Sequence, residues 1–162
     1  MENINVRVAA ALFSILISSW SSIFAASGDF GAGFILGEPT GLTAKYFITG
    51  TDAVDSGLGA SYHNGFYIYA DYLKHFPEVF PVDGLALYVG AGAGFHHHNR
   101  DDEGRHHDGD DYNSLECRIP VGLEYTLQKA PLGIFLELVP ALEIIPDIDS
   151  DIRGGLGLRY YF

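Results

Sequence analysis

The chain has 162 residues, a formal net charge of −12 and one cysteine, Cys117. That length suits a single domain. The acidity makes a poor ligand for nucleic acid or anionic lipid surfaces. The lone thiol excludes an intramolecular disulfide and gives no metal-site spacing. Hydrophobic residues make up 48% of the chain and glycines number 20, a glycine-punctuated composition that favours an all-β fold.

The N-terminal stretch is the one candidate for a helical membrane segment. Arg7 precedes a short apolar core, Val8 to Ile17, and small residues follow around Ala25, Ala26 and Ser27. This order predicts a secretory signal peptide over residues 1–25, leaving residues 26–162 as one mature domain. Cleavage after Ser27 is the near alternative, and an uncleaved inner-membrane anchor is the competing reading. Removal takes away Glu2 and Arg7, so the mature charge stays at −12. No cysteine follows the signal, which argues against a lipoprotein anchor.

Beyond it, no stretch approaches the ~20 consecutive apolar residues of a spanning helix. Eight segments of alternating polarity take its place, each near the length of a spanning strand. The first, 30–37, puts Phe30, Ala32, Phe34 and Leu36 on one face. Glu38-Pro-Thr-Gly41 reads as a tight turn. The second, 42–48, is apolar through Leu42, Ala44, Tyr46 and Ile48, and a polar turn over 49–55 follows. The third and fourth, 57–62 and 66–74, flank His63-Asn64-Gly65, an Asn-Gly hairpin signal. The connection 75–84 carries Pro77 and Pro81 and breaks any strand. The fifth is 85–95, followed by a long polar loop over 96–114. The sixth is 115–127, the seventh 132–144, and the eighth ends the chain. Pro120 and Pro140 fall inside proposed strands and suggest bulges.

The last strand carries the most information. Ile152, Leu156, Leu158, Tyr160 and Phe162 share one face, and Arg153, Gly155, Gly157, Arg159 and Tyr161 share the other. Its terminal aromatics, Tyr160 and Phe162, resemble the signal by which bacterial outer-membrane proteins reach their insertion machinery.

The polar faces together carry Lys45, Asp71, Glu116, Arg118, Glu124, Glu137, Glu143, Arg153 and Arg159, interleaved with glycine. A small barrel has little interior volume, so glycines and paired charges are what fit inside it. The expected fold is an all-β, eight-stranded, antiparallel, up-and-down transmembrane β-barrel with these charges as a lumenal ion-pair network. The alternative is a soluble periplasmic lipocalin-like carrier of hydrophobic ligands, with the apolar face turned inward. That arrangement would leave a glycine-rich face in water. An even strand count places both chain ends in the periplasm and the 96–114 loop outside the cell.

The mature chain resembles small eight-stranded outer-membrane barrels of the outer membrane protein A and X type, and the stretches Leu36-Gly-Glu-Pro-Thr-Gly-Leu-Thr-Ala-Lys45, Leu87-Tyr-Val-Gly-Ala-Gly-Ala-Gly94, Arg118-Ile-Pro-Val-Gly-Leu123 and Gly157-Leu-Arg-Tyr-Tyr-Phe162 resemble a poorly characterised bacterial barrel family within that class. Nearly the whole mature chain is covered. The resemblance implies fold and location in the bacterial outer membrane, with outer-membrane lipid and the insertion machinery as partners. It implies no activity.

Residues 96–111 form the one dense cluster of ligand types, with five of the seven histidines. His96, His97, His98, His106, His107 and Asp108 suit weak capture of a divalent metal. The competing reading is a solvated acidic loop that meets an unknown extracellular partner. Asp108-Gly-Asp-Asp departs from Ca²⁺-loop spacing. A lipid A-modifying enzyme is the third class, and Ser61, His63 and Asp71 are the groups it would have to use. Nothing like the signature of such enzymes is present. The expected function is therefore structural or interactive and not enzymatic, with no catalytic residues and no resident cofactor.

Overall fold

The computed structural model describes residues 28–61, 65–98, 112–145 and 148–162. The strands are β1 (Phe30–Gly37), β2 (Thr40–Phe47), β3 (Asp52–Ser61), β4 (Gly65–Phe76), β5 (Leu85–His98), β6 (Tyr112–Arg118), β7 (Val121–Thr126), β8 (Leu132–Ile145) and β9 (Asp149–Tyr161). A short 3-10 turn, Pro77–Val79, lies between β4 and β5. Every pairing is antiparallel, and β6 and β7 both lie between β5 and β8. They are two halves of one wall position, so the ring has eight strands. It closes where β1 meets β9, from Gly31 opposite Tyr161 to Gly37 opposite Gly155. Closure leaves no continuous sheet edge around the waist.

The two prolines explain the division of the sixth wall strand, and they do so without the expected bulge. Arg118 pairs with Ala141, and three residues on Val121 pairs with Leu138. The register crosses Ile119-Pro120 unchanged. Pro120 lacks the N–H that would pair toward Gly90 on β5, and Pro140 lacks the one that would pair toward Ile119, so one rung is incomplete on each side of this wall position. Ile119 N–H still reaches Pro140 O at 2.9 Å, and Gly90 N–H reaches Pro120 O at 2.8 Å. The irregularity in this pair lies between Leu115 and Glu116 instead.

Polarity is inverted relative to a soluble barrel. Phe34, Leu36, Leu42, Ile68, Ile134, Leu136, Leu138, Leu156 and Leu158 are exposed. Lys45, Asp55, Asp71, Glu116, Arg118, Glu124, Glu137 and Arg159 are buried. Alternation does this directly, because successive side chains in a strand point to opposite faces. The lipocalin-like arrangement, with its apolar face inside, is therefore not the one observed. No helix among the described residues is long and apolar enough to cross a membrane.

Inward glycines make room for inward aromatic rings on the neighbouring strand. Gly57 lies opposite Tyr69, Gly122 opposite Tyr88, Gly31 opposite Tyr161 and Gly157 opposite Phe135. A Cβ at Gly31 would sit 2.6 Å from the Tyr161 ring, and Cβ atoms at the other three would also collide with their partner's ring. The rings lie flat over the backbone and cover it, as aromatics do over glycine in other sheets.

Several strands run further than their outward apolar runs suggest. β3 begins at Asp52, so Asp55 is a strand residue and not part of a turn. β4 continues to Phe76, which puts His75 in the wall. β5 and β6 reach His98 and Tyr112, shortening the expected loop at both ends. In each case the alternation continues past the expected end, with a polar inward side chain such as Asp55, His75 or His96 in the added stretch. Residues 1–27 and 99–111 lie outside the described residues, and with them the expected signal peptide and most of the His-rich loop.

Candidate functional site: the charged interior

The barrel interior holds three linked clusters. Nearest the chain termini, Lys45 on β2 faces Glu124 on β7 with Nζ–Oε2 at 2.6 Å. His75 Nε2 on β4 lies 3.2 Å from Lys45 Nζ and 3.5 Å from Glu124 Oε2. The Tyr161 hydroxyl donates to the other carboxylate oxygen, Oε1. Lys45 Nζ also sits 4.6 Å from the centre of the Tyr88 ring. An open cleft of ≈ 450 Å³ leads to this cluster, walled by Phe47, Phe80, Pro81 and Leu85 and reaching His75 and Glu124.

The middle cluster is built on two arginines. Arg159 Nη2 on β9 donates to both oxygens of Asp55 on β3, at 2.9 and 2.8 Å, and to Thr43 Oγ1 at 2.7 Å. Its guanidinium lies 3.8 Å from the centre of the Phe135 ring. Arg118 Nε on β6 lies 3.0 Å from Asp71 Oδ1, and its Nη2 lies 3.5 Å from Glu137 Oε1. Its guanidinium stacks 3.9 Å from the Tyr69 ring centre. The Tyr88 hydroxyl donates to Glu137 at 2.9 Å.

At the far end, Glu116 on β6 is held by Arg153 in a forked pair, with Nη2–Oε2 at 2.6 Å and Nη1–Oε1 at 2.9 Å. The Tyr67 hydroxyl donates to Glu116 and accepts from Arg118, joining this cluster to the middle one. His96 Nε2 lies 3.2 Å from Glu116 Oε2. Buried charges are costly unless paired and hydrogen-bonded. Here the guanidinium groups supply planar, forked donors and cover aromatic rings as well.

Eight of the nine residues expected in the network take part in it. The exception is Glu143, half-buried on the same inward face but making no ion pair among the described residues. It lies directly opposite Glu116 on β6 and Asp149 on β9. Asp55, Thr43, His75 and the inward tyrosines were missing from the sequence-derived set. The clue to Asp55 is the Ala53-Val54-Asp55 alternation, in which Val54 alone faces out.

Of the proposed metal cluster, His96 and His97 are the members whose side chains are described, and they diverge. His96 turns into the barrel against Glu116 and Arg153, while His97, its neighbour on β5, has Nδ1 2.8 Å from Asn113 Oδ1. His106, His107 and Asp108 lie outside the described residues, as does the His98 side chain. Among the described residues no group of three metal-ligating side chains converges. Of the groups considered for an enzyme, Asp71 is occupied by Arg118, and His63 and the Ser61 side chain are not described. Tyr160 and Phe162 both face outward at the terminal end, with ring centres 4.9 Å apart.

The class these features define is the closed eight-stranded β-barrel with apolar exterior and charged interior, as the resemblance to the outer membrane protein A and X type led one to expect. The crystal structure of the N-terminal β-barrel domain of Pseudomonas aeruginosa OprF is similar, with a TM-score of 0.61 over 82% of this chain and 95% of that one. Sequence identity is 20%, so the likeness establishes the fold. No protein-family model matches the chain, and no curated protein matches it.

Proposed function

We propose that this protein resides in the bacterial outer membrane, delivered there after removal of residues 1–25 and inserted by the machinery that reads Tyr160 and Phe162. The observation carrying this reading is the inverted polarity. An exterior of Leu, Ile, Val and Phe suits hydrocarbon, and an interior of matched charges requires shelter from it. Outer-membrane lipid is then its constant partner. Both chain ends face the periplasm, and the β3–β4, β5–β6 and β8–β9 connections face outward.

The role we assign is structural and interactive, not enzymatic. An eight-stranded barrel is just wide enough for side chains to fill. Arg118, Arg159, Tyr67, Tyr88 and Phe135 fill this one and are fully buried. That supports a closed lumen and leaves the acidic outward loops as the surface that meets other molecules. An epitope inserted at Gly104 tests the arrangement. The epitope should be labelled on intact cells, and the protein should fractionate with outer membrane. Labelling only after lysis would refute it.

A second reading gives the His-rich segment weak capture of a divalent metal. Its support is the density of imidazole and carboxylate between His97 and Asp111. His96 falls out of the ligand set because Glu116 and Arg153 engage it. Calorimetric zinc titration of the intact protein and of a His106→Ala, His107→Ala variant distinguishes the readings. Equal heats, or none, favour the purely interactive one.

A further inference from the structure

Among the described residues the barrel wall has a notch, and its rim is a strand edge. β1 pairs with β9 only as far as Gly37 opposite Gly155, with one further rung from Glu38 N–H to Gly154 O at 3.0 Å. β9 and β8 continue together to Asp149 opposite Glu143. Residues 149–153 of β9 therefore pair on one side only among the described residues. In an antiparallel ladder the N–H and C=O of one residue point to the same neighbour. Gly154 points to β1, so Ile152 and Ser150 present their backbone groups to the notch.

Both edge N–H groups are capped by the preceding carboxylate. Ser150 N–H donates to Asp149 Oδ1 and Ile152 N–H to Asp151 Oδ1, each at 2.8 Å. The inward face of this rim is densely acidic. Glu143 lies opposite both Glu116 and Asp149, and like charges opposite each other are unfavourable. Arg153 is the one lysine or arginine there among the described residues, and it is committed to Glu116 and Asp151. The outward face carries Ile148 and Ile152, 82% and 73% exposed.

We propose that this edge is a docking site for a basic, extended polypeptide, which adds as a strand antiparallel to β9 and continues the line of β1 above its turn. The bound strand replaces the two side-chain caps with backbone rungs. Its inward positions carry lysine or arginine against Glu143, Asp149 and Asp151, and the positions between them carry aliphatic residues along Ile148 and Ile152. Strand addition of this kind draws affinity from backbone bonds and specificity from alternate side chains. A second copy in the same membrane is not the occupant, because its β9 runs in the same direction and cannot add antiparallel. The proposal rests on the interactive, outward-facing reading above.

The test uses the full mature chain in detergent micelles and a fluorescein-labelled nonapeptide alternating lysine and valine, followed by fluorescence anisotropy. Two further peptides carry backbone N-methyl groups, one on the lysines and one on the valines. Only one of these sets faces β9, so one methylated peptide should bind at least tenfold more weakly while the other retains affinity. Ile152→Pro, which removes an edge N–H without touching the β8 ladder, should weaken the parent peptide by a similar factor. No binding, or equal binding by both methylated peptides, overturns the proposal. The heat-dependent gel mobility of the same sample is measured alongside. A folded barrel that fails to bind refutes the docking site alone, whereas an absent shift refutes the barrel reading beneath it.

Discussion

Arg159 and Asp55 are separated by 104 residues in sequence and share a two-contact ion pair inside the barrel, Nη2 to both carboxylate oxygens at 2.9 and 2.8 Å. They stand on strands β9 and β3, with β1 and β2 between them. The pair ties together wall strands across the seam where the ring closes. Arg159→Leu leaves the Asp55 carboxylate buried without its cation, at a cost of about 3–5 kcal/mol. Asp55→Leu alone should cost a similar amount. The double substitution should cost clearly less than the sum, because no lone charge remains. Urea unfolding in lipid vesicles measures all three. Unchanged stability in Arg159→Leu would contradict a structural role for the pair.

Gly157 and Gly154 offer a matched comparison on one strand. A Cβ at Gly157 collides with the Phe135 ring, on which Arg159 stacks. A Cβ at Gly154 points outward and meets Leu138 Cδ2 at 3.3 Å, the end of a side chain that can turn aside. Gly157→Val should block folding or lower the unfolding midpoint sharply, as overpacking does. Gly154→Ala should be nearly neutral. Refolding yield into micelles separates the two.

The exterior gives a test of solvent. Leu136 is 56% exposed on the outward face of β8. In water, arginine at so exposed a position would change stability by no more than about 0.5 kcal/mol. In lipid it should cost about 2–4 kcal/mol near the midplane. Leu136→Arg, measured by urea unfolding in vesicles, should fall in the second range.

Phe162 distinguishes delivery from stability. Its ring lies 6.0 Å from Phe30 and 4.9 Å from Tyr160, all outward at the terminal end. Phe162→Ala removes modest surface contacts and should refold in vitro at nearly the parent yield. Its amount in the outer membrane of cells should drop several-fold. Equal loss in both settings would make the residue a packing element and not a signal.

How much of this was legible in the sequence depended on what lay on the outward face. Where apolar residues alternate with glycine over a long run, as from Leu85 to Phe95, both faces are legible. Where the outward residues become polar or the apolar alternation runs out, the sequence suggests an end to the strand. Asp55 was assigned to a turn because Asp52-Ala-Val-Asp55 holds one large apolar residue. His96 falls in the expected loop for the same reason and His75 because Pro77 and Pro81 follow it, although each continues the inward alternation of its strand. The effect of Pro120 and Pro140 depends on their lying on neighbouring rungs with their missing N–H groups toward different strands, which only the register reveals. The edge at Ser150 and Ile152 was invisible because it is set by the unequal lengths of β1 and β9, not by either strand alone.

The most direct test of the account is the electrophoretic mobility of the membrane-fraction protein in SDS, with and without boiling. A closed barrel sheltering matched charges should resist SDS in the cold and migrate differently after heating. That shift is the predicted result. An unchanged mobility, with the protein recovered in the soluble periplasm, would contradict the membrane-embedded, inverted barrel.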